Sequence, residues 1–273
     1  GGAGTFSDGK LNTLVKDPFG RNHEVLYRFV QAGAPAEILY QQKPHLGTDV
    51  LIGIVQEMRK EIEEMGGSFR FRAKVTDLIF ENSELKAVEI NDNEQIPAQV
   101  CVLAIGHSAR DTFEMLEKRG IFMEPKAFAV GLRIEHPQRM INLDLYGEEE
   151  NEFLGAAAYK VTHKCENGRG VYSFCMCPGG YVVNASSEEG KLAVNGMSYQ
   201  ARDAENANSA MIVTVTPEDF SGEGPLAGVE FQRTLERRAW EIGQGKIPVQ
   251  LFGDFKANRK SAAFGEITPC MKG

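Results

Sequence analysis

Residues 47–67, GTDVLIGIVQEMRKEIEEMGG, predict a long amphipathic helix that sets the frame for the segments around it. Thr48 stands where an N-cap is needed, and Asp49 places negative charge at the positive end of the helix dipole. The apolar residues from Val50 to Met65 recur at helical spacing, and the two glycines that follow end the pattern. We therefore expect a helix with one buried face.

The segments after this helix change to the period of two that is typical of strands. Phe69, Phe71, Ala73 and Val75 alternate with other residues, and two clusters of turn residues follow. The turns separate FRFRAKVTDLIF (69–80), LKAVEIN (85–91) and EQIPAQ (94–99). This pattern predicts a three-stranded meander.

The stretch VCVLAIGHSARDTFEMLEKRG, residues 100–120, predicts a strand, a tight glycine turn and a second helix. Its apolar run does not alternate, which indicates a strand that is buried on both faces. Ser108 and Asp111 are spaced as a capping box, and Gly120 ends the helix.

After Pro125 the sequence consists mostly of short strand-like segments, with one long helix predicted at 225–243. We expect two units, 1–124 and 125–273, and the second is expected to be mainly antiparallel β with that long helix. The fold class is therefore α+β or α/β.

Composition restricts the possible functions. The chain has 273 residues, a formal net charge of -8 and no block of Lys or Arg, so nucleic acid is not an expected partner. The longest apolar runs are far shorter than the roughly 20 residues that cross a bilayer, so no membrane span is expected. The five cysteines do not resemble a secreted disulfide framework, and we expect a cytoplasmic protein. The first residues lack an initiator Met, and we expect a piece of a longer protein.

Two motifs match known functional patterns by residue type, but other features of the sequence argue against both. Gly222, Gly224 and Ala227 fit a dinucleotide-binding pattern, but Pro225 lacks an N–H and Glu223 adds negative charge, which favours a helix-entry loop. The second motif has the atoms of a zinc site, in the series His163, Cys165, Cys175 and Cys177. A hairpin turning at 167–168 would separate the two pairs by on the order of 10 to 17 Å, so no metal site is expected.

The CMCPGG stretch allows two interpretations. Alternation places Cys175 and Cys177 on one strand face, and the favoured interpretation is a pair of packed core thiols. The alternative is a reactive thiolate, which requires Lys160 to lie across from Cys175 and predicts a lowered thiol pKa. These three residues are the candidate catalytic residues.

Two glycine-containing segments are candidate phosphate-binding loops. GGAGTFSDGK (1–10) has the composition of an anion nest, with a disordered end as the alternative. The N–H groups at 108–110 could meet a phosphate or ribose. The sequence contains no Ser-His-Asp order, HExxH or Walker loop, which argues against hydrolases and NTPases.

Six stretches together resemble a known family, the uncharacterised FAD-dependent dehydrogenases of bacteria, which are relatives of the glutathione-reductase-type flavoproteins. They are GGAGTFSDGKL (1–11), AGAPAEILY (32–40), KPHLGTDVL (43–51), VLAIGHSARDTFEML (102–116), YSFCMCPGGYVVNASSEEG (172–190) and NGMSYQARDAENANSA (195–210). The resemblance implies FAD as cofactor, a partial FAD-binding domain at 1–124 and a substrate domain at 125–273. It also implies that the N-terminal GxGxxG segment is missing, so we expect this piece alone to bind FAD weakly or not at all and to be inactive.

The resemblance implies three groups of FAD-binding residues. Near the pyrophosphate or the ring it places Gly2, Gly4, Thr5, Ser7 and Asp8. Near adenine it places Val75, and at the turn facing FAD it places Gly106, His107 and Ser108. Facing the isoalloxazine it places the NGMS segment together with Pro178, Gly179 and Gly180.

The implied function is that of an FAD-dependent oxidoreductase acting on a small molecule, with a nicotinamide or another compound as electron donor. The flavin would supply the redox chemistry. Two alternatives stay open: a non-catalytic ligand- or protein-binding module that shares the flavoprotein fold, and a zinc-stabilised structural domain.

Overall fold

The computed structural model describes Thr5, residues 7–11, residues 16–265 and residues 268–272. The chain divides into two compact units. Unit 1 consists of 59–127 and 216–234, and unit 2 consists of 2–58, 128–215 and 235–273. The functional division into a partial FAD-binding domain and a substrate domain stays a prediction, and the compact units group residues 2–58 with the strand-rich part of the chain.

The helices are α1 Arg21–Gln31, α2 Thr48–Glu64, α3 Arg110–Lys118, α4 Gln138–Tyr146, α5 Ala227–Gly243 and α6 Phe252–Lys256. The strands are β1 Val75–Glu81, β2 Glu84–Ile90, β3 Glu94–Pro97, β4 Phe128–Pro137, β5 Thr162–Lys164, β6 Gly170–Cys177, β7 Tyr181–Asn184, β8 Val194–Met197, β9 Asn206–Val215 and β10 Met271–Lys272. Short 3-10 turns occur at Ala36–Leu39 and Pro217–Asp219.

Unit 1 contains the predicted meander, a sheet with the strand order β1-β2-β3. Both strand pairs are antiparallel, and Asn82 and Ser83 take the left-handed conformation that a tight hairpin turn needs. The sheet begins at Val75, so residues 69–74, which we expected to belong to the first strand, lie outside it. Leu78, Ala87 and Ile90 are among its buried residues.

The strand expected at 100–105 is wrong for this structure. Residues 101–106 carry no regular secondary structure, and the exposed fractions of Val100 and Val102 are 81% and 84%. A strand needs neighbours for its N–H and C=O groups, and the described part of unit 1 supplies none to this segment. The sequence pattern identified the apolar run but could not supply its partners.

The capping box expected at Ser108 is also wrong. Helix α3 begins at Arg110, its N-cap residue is Ala109, and that cap makes no side-chain hydrogen bond. Asp111 instead accepts from the N–H of Thr112 and pairs with Lys74 at 2.6 Å. The side chain that was expected to close the capping box therefore joins the helix to the residue that precedes β1.

Unit 2 is built on two sheets. The larger sheet has the order β4-β9-β6-β5 and is antiparallel throughout. The smaller sheet has the order β10-β7-β8, in which only the β10–β7 pair is parallel. The mixed α and β class with antiparallel sheets is confirmed. The hairpin turn at 167–168 is confirmed as well, since His163 lies opposite Val171.

The core of unit 2 includes two clusters. The first contains Ala32, Ala34, Ile38, Leu46, Leu51 and Ile54, so it joins α1, the turn after it and the first half of α2. The buried face predicted for α2 is thus confirmed in its N-terminal half. The second cluster lies against the larger sheet and contains Ile141, Ala157, Met176 and Ala207.

Candidate functional site

Two of the stretches that carry the family resemblance meet in unit 2, where residues 8–11 of one pair with residues 44–46 of the other. Lys10 and His45 form an antiparallel bridge. The N–H of Leu46 donates to the carbonyl of Gly9 at 3.0 Å, and the N–H of Leu11 donates to Pro44 at the same distance. Backbone pairing therefore holds the charged residues of the SDGK segment beside His45.

Asp8 is the centre of a buried charge cluster. Its exposed fraction is 3%, and its Oδ2 lies 2.9 Å from the Lys10 ammonium and 3.1 Å from the Arg202 guanidinium. Lys10 also donates a hydrogen bond to the carbonyl of Met176. The Asp8 carboxylate thus joins residues 8–10 to Arg202, and Lys10 adds a contact to the segment around Met176. We call Asp8, Lys10, His45 and Arg202 the Asp8 cluster.

The start of helix α2 is tied to the NGMSYQ stretch. The N–H of Gly47 donates to the side-chain oxygen of Gln200 at 2.7 Å, and the N–H of Gln200 donates to Asp49 at 3.0 Å. The N–H of Thr48 donates to the carbonyl of Ser198 at 3.3 Å. These bonds satisfy backbone donors at the start of the helix, of which Thr48, expected as the N-cap, is the first residue.

The CPGG segment packs against the same stretch. Ser198, which is fully buried, donates to the carbonyl of Pro178 at 3.3 Å. The N–H of Gly179 donates to the side chain of Gln138 at 2.8 Å. Gly179 has φ +45, and a Cβ there would lie 1.8 Å from the carbonyl oxygen of Arg202. Only a glycine fits this contact.

Strand β6 has a bulge where alternation predicted a regular strand. The register shifts between Phe174 and Cys177, and Cys175 takes the left-handed conformation with φ +45. Cys175 is consequently exposed while Cys177 is fully buried, so the expected shared strand face is wrong. The bulge turns one of the two thiols outward.

Arg133 supports this bulge and was not singled out by sequence reasoning. Its guanidinium donates to the carbonyl of Cys175 at 3.2 Å and to the Oδ1 atoms of Asn208 at 2.7 Å and Asn195 at 3.4 Å. Burial lowers its pKa from the ordinary value, and the surrounding cysteines and Asp8 oppose the shift. A charged residue inside the strand-like run 128–134 was the only available signal.

The alternative interpretation of Cys175 as a reactive thiolate required a lowered pKa, and the surroundings of the thiol act in the opposite direction. Although the residue as a whole is exposed, partial desolvation of its sulfur raises the pKa above the ordinary value, and the charges of Lys10 and Arg133 oppose this. Lys160 is exposed and is not among the charges that act on the thiol. Burial also raises the pKa of Cys177 to about 12, so at neutral pH this group is a protonated core thiol.

Several polar atoms near these segments are buried without a hydrogen-bond partner in the described part of the chain. They are Oδ1 of Asp8, Nε2 of His45, Nε of Arg202 and Nδ2 of Asn208. Such atoms are costly unless water or another polar group reaches them. Three of the four belong to the Asp8 cluster.

His45 is expected to make stability depend on pH between 6.5 and 4. Burial and the charge of Arg202 lower its pKa from 6.5 to about 4, so the unfolded state binds a proton more readily than the folded state. The stabilisation is therefore complete above pH 6.5 and is lost as the pH falls towards 4, by up to about 3 kcal/mol.

Urea unfolding of the wild type and of His45→Gln between pH 4 and 7 measures this effect. The wild type should lose more free energy of unfolding than the variant over that range. His23→Gln, which removes an exposed histidine, should follow the wild type. Parallel curves for the wild type and His45→Gln would show that folding does not lower the pKa of His45.

The other residues of the predicted FAD site lie in different places. Gly2 and Gly4 lie outside the described residues, and Thr5 and Ser7 are half-buried near the start of the chain. In unit 1, Val75 lines a cavity of about 490 Å³ between the start of β1 and helix α3. Gly106, His107 and Ser108 form the turn before α3, where His107 is exposed and Gly106 has φ +68.

Two findings concern metal sites and membrane-spanning helices. Among the residues that the structure describes, no group of three or more His, Cys, Asp and Glu side chains is arranged to hold a metal ion. None of the helices within the described ranges has the length and apolar composition required to cross a bilayer.

Unit 2 is thus a mainly antiparallel α+β unit whose glycine-rich loops converge on a charge cluster around the buried Asp8. Residues 127–273, the greater part of which lies in this unit, match the model of the family "FAD-dependent protein, C-terminal domain-like". The chain belongs to this family, and FAD is accordingly the cofactor of the full-length protein.

A relative from Clostridium beijerinckii, described as an uncharacterized protein, is 52% identical over 273 residues, which covers 98% of this chain and 51% of the relative. The chain thus spans about half the length of this curated relative.

Proposed function

We propose that the full-length protein is an FAD-dependent oxidoreductase of the glutathione-reductase type, a dehydrogenase of a small molecule. We further propose that the Asp8 cluster and the loops around it form part of the cofactor site. The main support is the convergence in unit 2 of the 8–11, 43–51, 172–190 and 195–210 stretches, each of which resembles the family.

The chemistry of the cluster fits a polar cofactor. Asp8 Oδ1 can accept a hydrogen bond, Arg202 Nε can donate one, and His45 Nε2 can do either, and all three lack a partner in the part of the chain described here. Gly179 and Gly180 leave room for the carbonyls of Arg202 and Met197, so these glycines hold the loop in place beside the cluster. We propose that the residues near the cofactor are Asp8, Ser7, Thr5 and the segment 178–180, together with Gly2 and Gly4.

Bound FAD would supply the electron transfer, and the protein would hold and orient it. In unit 2, Lys10 and Arg202 fix the Asp8 carboxylate, and Lys10 and Arg133 fix the carbonyls of the β6 bulge. These contacts keep the loops in one arrangement before a ligand binds. The raised pKa of the buried Cys177 favours a packing role for this thiol over acid–base catalysis, and the raised pKa of the exposed Cys175 disfavours a thiolate there.

For unit 1 we propose that Val75 lies near the adenine and that Gly106, His107 and Ser108 face FAD. Val75 lines a recess of about 490 Å³ at the start of the sheet, and most of the other side chains that line it are charged. The electron donor is proposed to be a nicotinamide or a similar compound, and the compartment is proposed to be the cytoplasm. The five cysteines, an odd number that does not resemble a secreted disulfide framework, support the latter.

Visible absorbance of the purified full-length protein tests the proposal. We expect the flavin spectrum, either as purified or after adding FAD, and release of FAD on denaturation. Lys10→Met should weaken FAD binding at least about tenfold, because it removes a charge-assisted contact of the cluster. The matched control Lys164→Met removes an exposed lysine of β5 and should not change the affinity.

Two results would contradict the proposal. A full-length protein that neither contains nor binds FAD would favour the non-catalytic binding module. Equal FAD affinity of wild type, Lys10→Met and Lys164→Met would show that the Asp8 cluster lies away from the cofactor.

A further inference from the structure

Arg133 is a half-buried cation whose hydrogen-bond partners are all neutral. In the described part of the chain, its acceptors are the carbonyl of Cys175 and the side-chain oxygens of Asn208 and Asn195. Burying a cation is costly unless an anion compensates its charge. The contacts of its Nη2 atom are also long, 3.4 and 3.5 Å, so this edge of the guanidinium has donor capacity for a further acceptor.

The fold leaves room for this guanidinium at Gly196. A Cβ at Gly196 would lie 2.6 Å from Nη1 of Arg133 and 2.5 Å from the sulfur of Cys177. Gly196 belongs to β8 of the smaller sheet, whereas Arg133 belongs to β4 of the larger sheet. The guanidinium therefore lies between the two sheets, at a position that requires bare backbone on one side.

A second cation reaches the same bulge of β6. The Lys10 ammonium donates to the carbonyl of Met176, and the Arg133 guanidinium donates to the carbonyl of Cys175, one residue earlier. Because the two carbonyls belong to consecutive residues, the cations lie within about 12 Å of each other. Desolvation raises the pKa of the Cys175 thiol, and the charges of both cations oppose this shift, so both act on its sulfur.

Positive charge exceeds negative charge around this bulge. In the described part of the chain, Asp8 is the only carboxylate whose charge acts on the Cys175 thiol, and its Oδ2 is already paired with Lys10 and Arg202. Three cations thus share one carboxylate here, although the chain as a whole has a formal net charge of -8. Such a local excess attracts an anion and raises its local concentration.

We propose that Arg133 and Lys10 bind the carboxylate of a small-molecule substrate beside the β6 bulge. The planar fork of a guanidinium matches the two oxygens of a carboxylate. A pyrophosphate such as that of FAD is typically held by backbone N–H groups at a helix N-terminus, whereas the backbone groups that meet the two cations here are carbonyls. The assignment rests on the proposed oxidoreductase function, because it names the class of its substrate.

Alkylation of Cys175 in the full-length apoprotein tests for the anion site without requiring a flavin. Iodoacetate is an anion and iodoacetamide is neutral, and both react with the thiolate, so the ratio of their rates cancels the effect of the thiol pKa. Peptide mapping should give a ratio for Cys175 at least about fivefold above that for Cys165, which stands between one base and one acid. A high concentration of sodium chloride should reduce this difference.

Two substitutions at Arg133 separate charge from structure. Arg133→Gln should lower the ratio for Cys175 at least about threefold, whereas Arg133→Lys keeps the charge and should preserve most of it. The buried Cys177 should stay unmodified in both variants, which shows that they are folded. Equal ratios for the wild type and Arg133→Gln would overturn the proposal. A wild-type ratio no higher than that of Cys165 would also overturn it, because it would mean that a carboxylate of the full-length protein already neutralises the cations.

Protection of Cys175 distinguishes a substrate carboxylate from the pyrophosphate of FAD. Excess propionate, used as a minimal carboxylate, should slow the reaction of iodoacetamide with Cys175 in the FAD-loaded protein and have no effect in Arg133→Gln. Protection by FAD alone, with no further effect of propionate, would assign the site to the pyrophosphate and overturn the proposal. Protection by propionate in a protein that binds no flavin would support the anion site and contradict only the proposed oxidoreductase function.

Discussion

Asp8→Asn is expected to lower the free energy of unfolding by about 2–4 kcal/mol. The substitution keeps the shape of the side chain but removes the charge that the Lys10 ammonium and the Arg202 guanidinium share at 2.9 and 3.1 Å. The Asp8 carboxylate is buried, so the loss exceeds that of an exposed pair, but the Lys10 and Arg202 side chains are 31% and 24% exposed and water can partly solvate the charges that remain. Urea or thermal unfolding of the purified protein measures the change.

Asp144→Asn provides the matched control for this prediction. Asp144 lies on α4 and is exposed, so its substitution should change the free energy of unfolding by no more than about 0.5 kcal/mol. If Asp8→Asn were as mild as Asp144→Asn, then the charges of the Asp8 cluster would be solvated in solution. The hydrogen bonds around Asp8 would then contribute little to the arrangement of the loops.

Gly179→Ala is expected to have a comparable effect, about 3–5 kcal/mol, for a steric reason. Gly179 has φ +45, and a methyl group there would lie 1.8 Å from the carbonyl oxygen of Arg202. Either the CPGG loop or the segment that carries Arg202 must therefore move. That movement would also break the hydrogen bond from the N–H of Gly179 to Gln138.

Gly190→Ala isolates the backbone part of this effect. Gly190 also has a positive φ, of +68, but no atom lies within 4 Å of the position that a Cβ would take. It should therefore lose only the cost of a left-handed alanine, about 1–2 kcal/mol. Similar losses for Gly179→Ala and Gly190→Ala would mean that the contact between Gly179 and Arg202 is absent in solution. Circular dichroism during thermal unfolding suffices for this comparison.

Features that depend on neighbouring residues were predicted well. The helix over 48–64, the turns at 82–83 and 167–168, and the helix over 227–243 follow from apolar spacing and turn residues that lie within a few positions of one another. Such signals act within one element, so the rest of the chain does not need to be known. The glycine motif at 222–227 was likewise correctly interpreted as the loop that leads into the helix over 227–243.

The candidate site was predicted only as a set of segments. Sequence reasoning named Asp8 and Gly179 through the family resemblance. It did not identify Lys10, His45 or Arg202 as neighbours of Asp8. Asp8 and Arg202 are 194 positions apart, and Lys10 and Met176 are 166 positions apart. The spacing of apolar residues along the sequence carries no information about contacts over such separations. The outward Cys175 was missed because alternation assumes a regular strand and the bulge breaks it.

The sequence by itself determined the local elements, the antiparallel character of the second half and the membership of an FAD-dependent family. Tertiary structure decided which charges meet at Asp8, which thiol is exposed and where His45 loses its proton, because burial and long-range pairing set these properties. It also decided that the run at 99–105 is not a strand here, since a strand exists only where its backbone groups find partners.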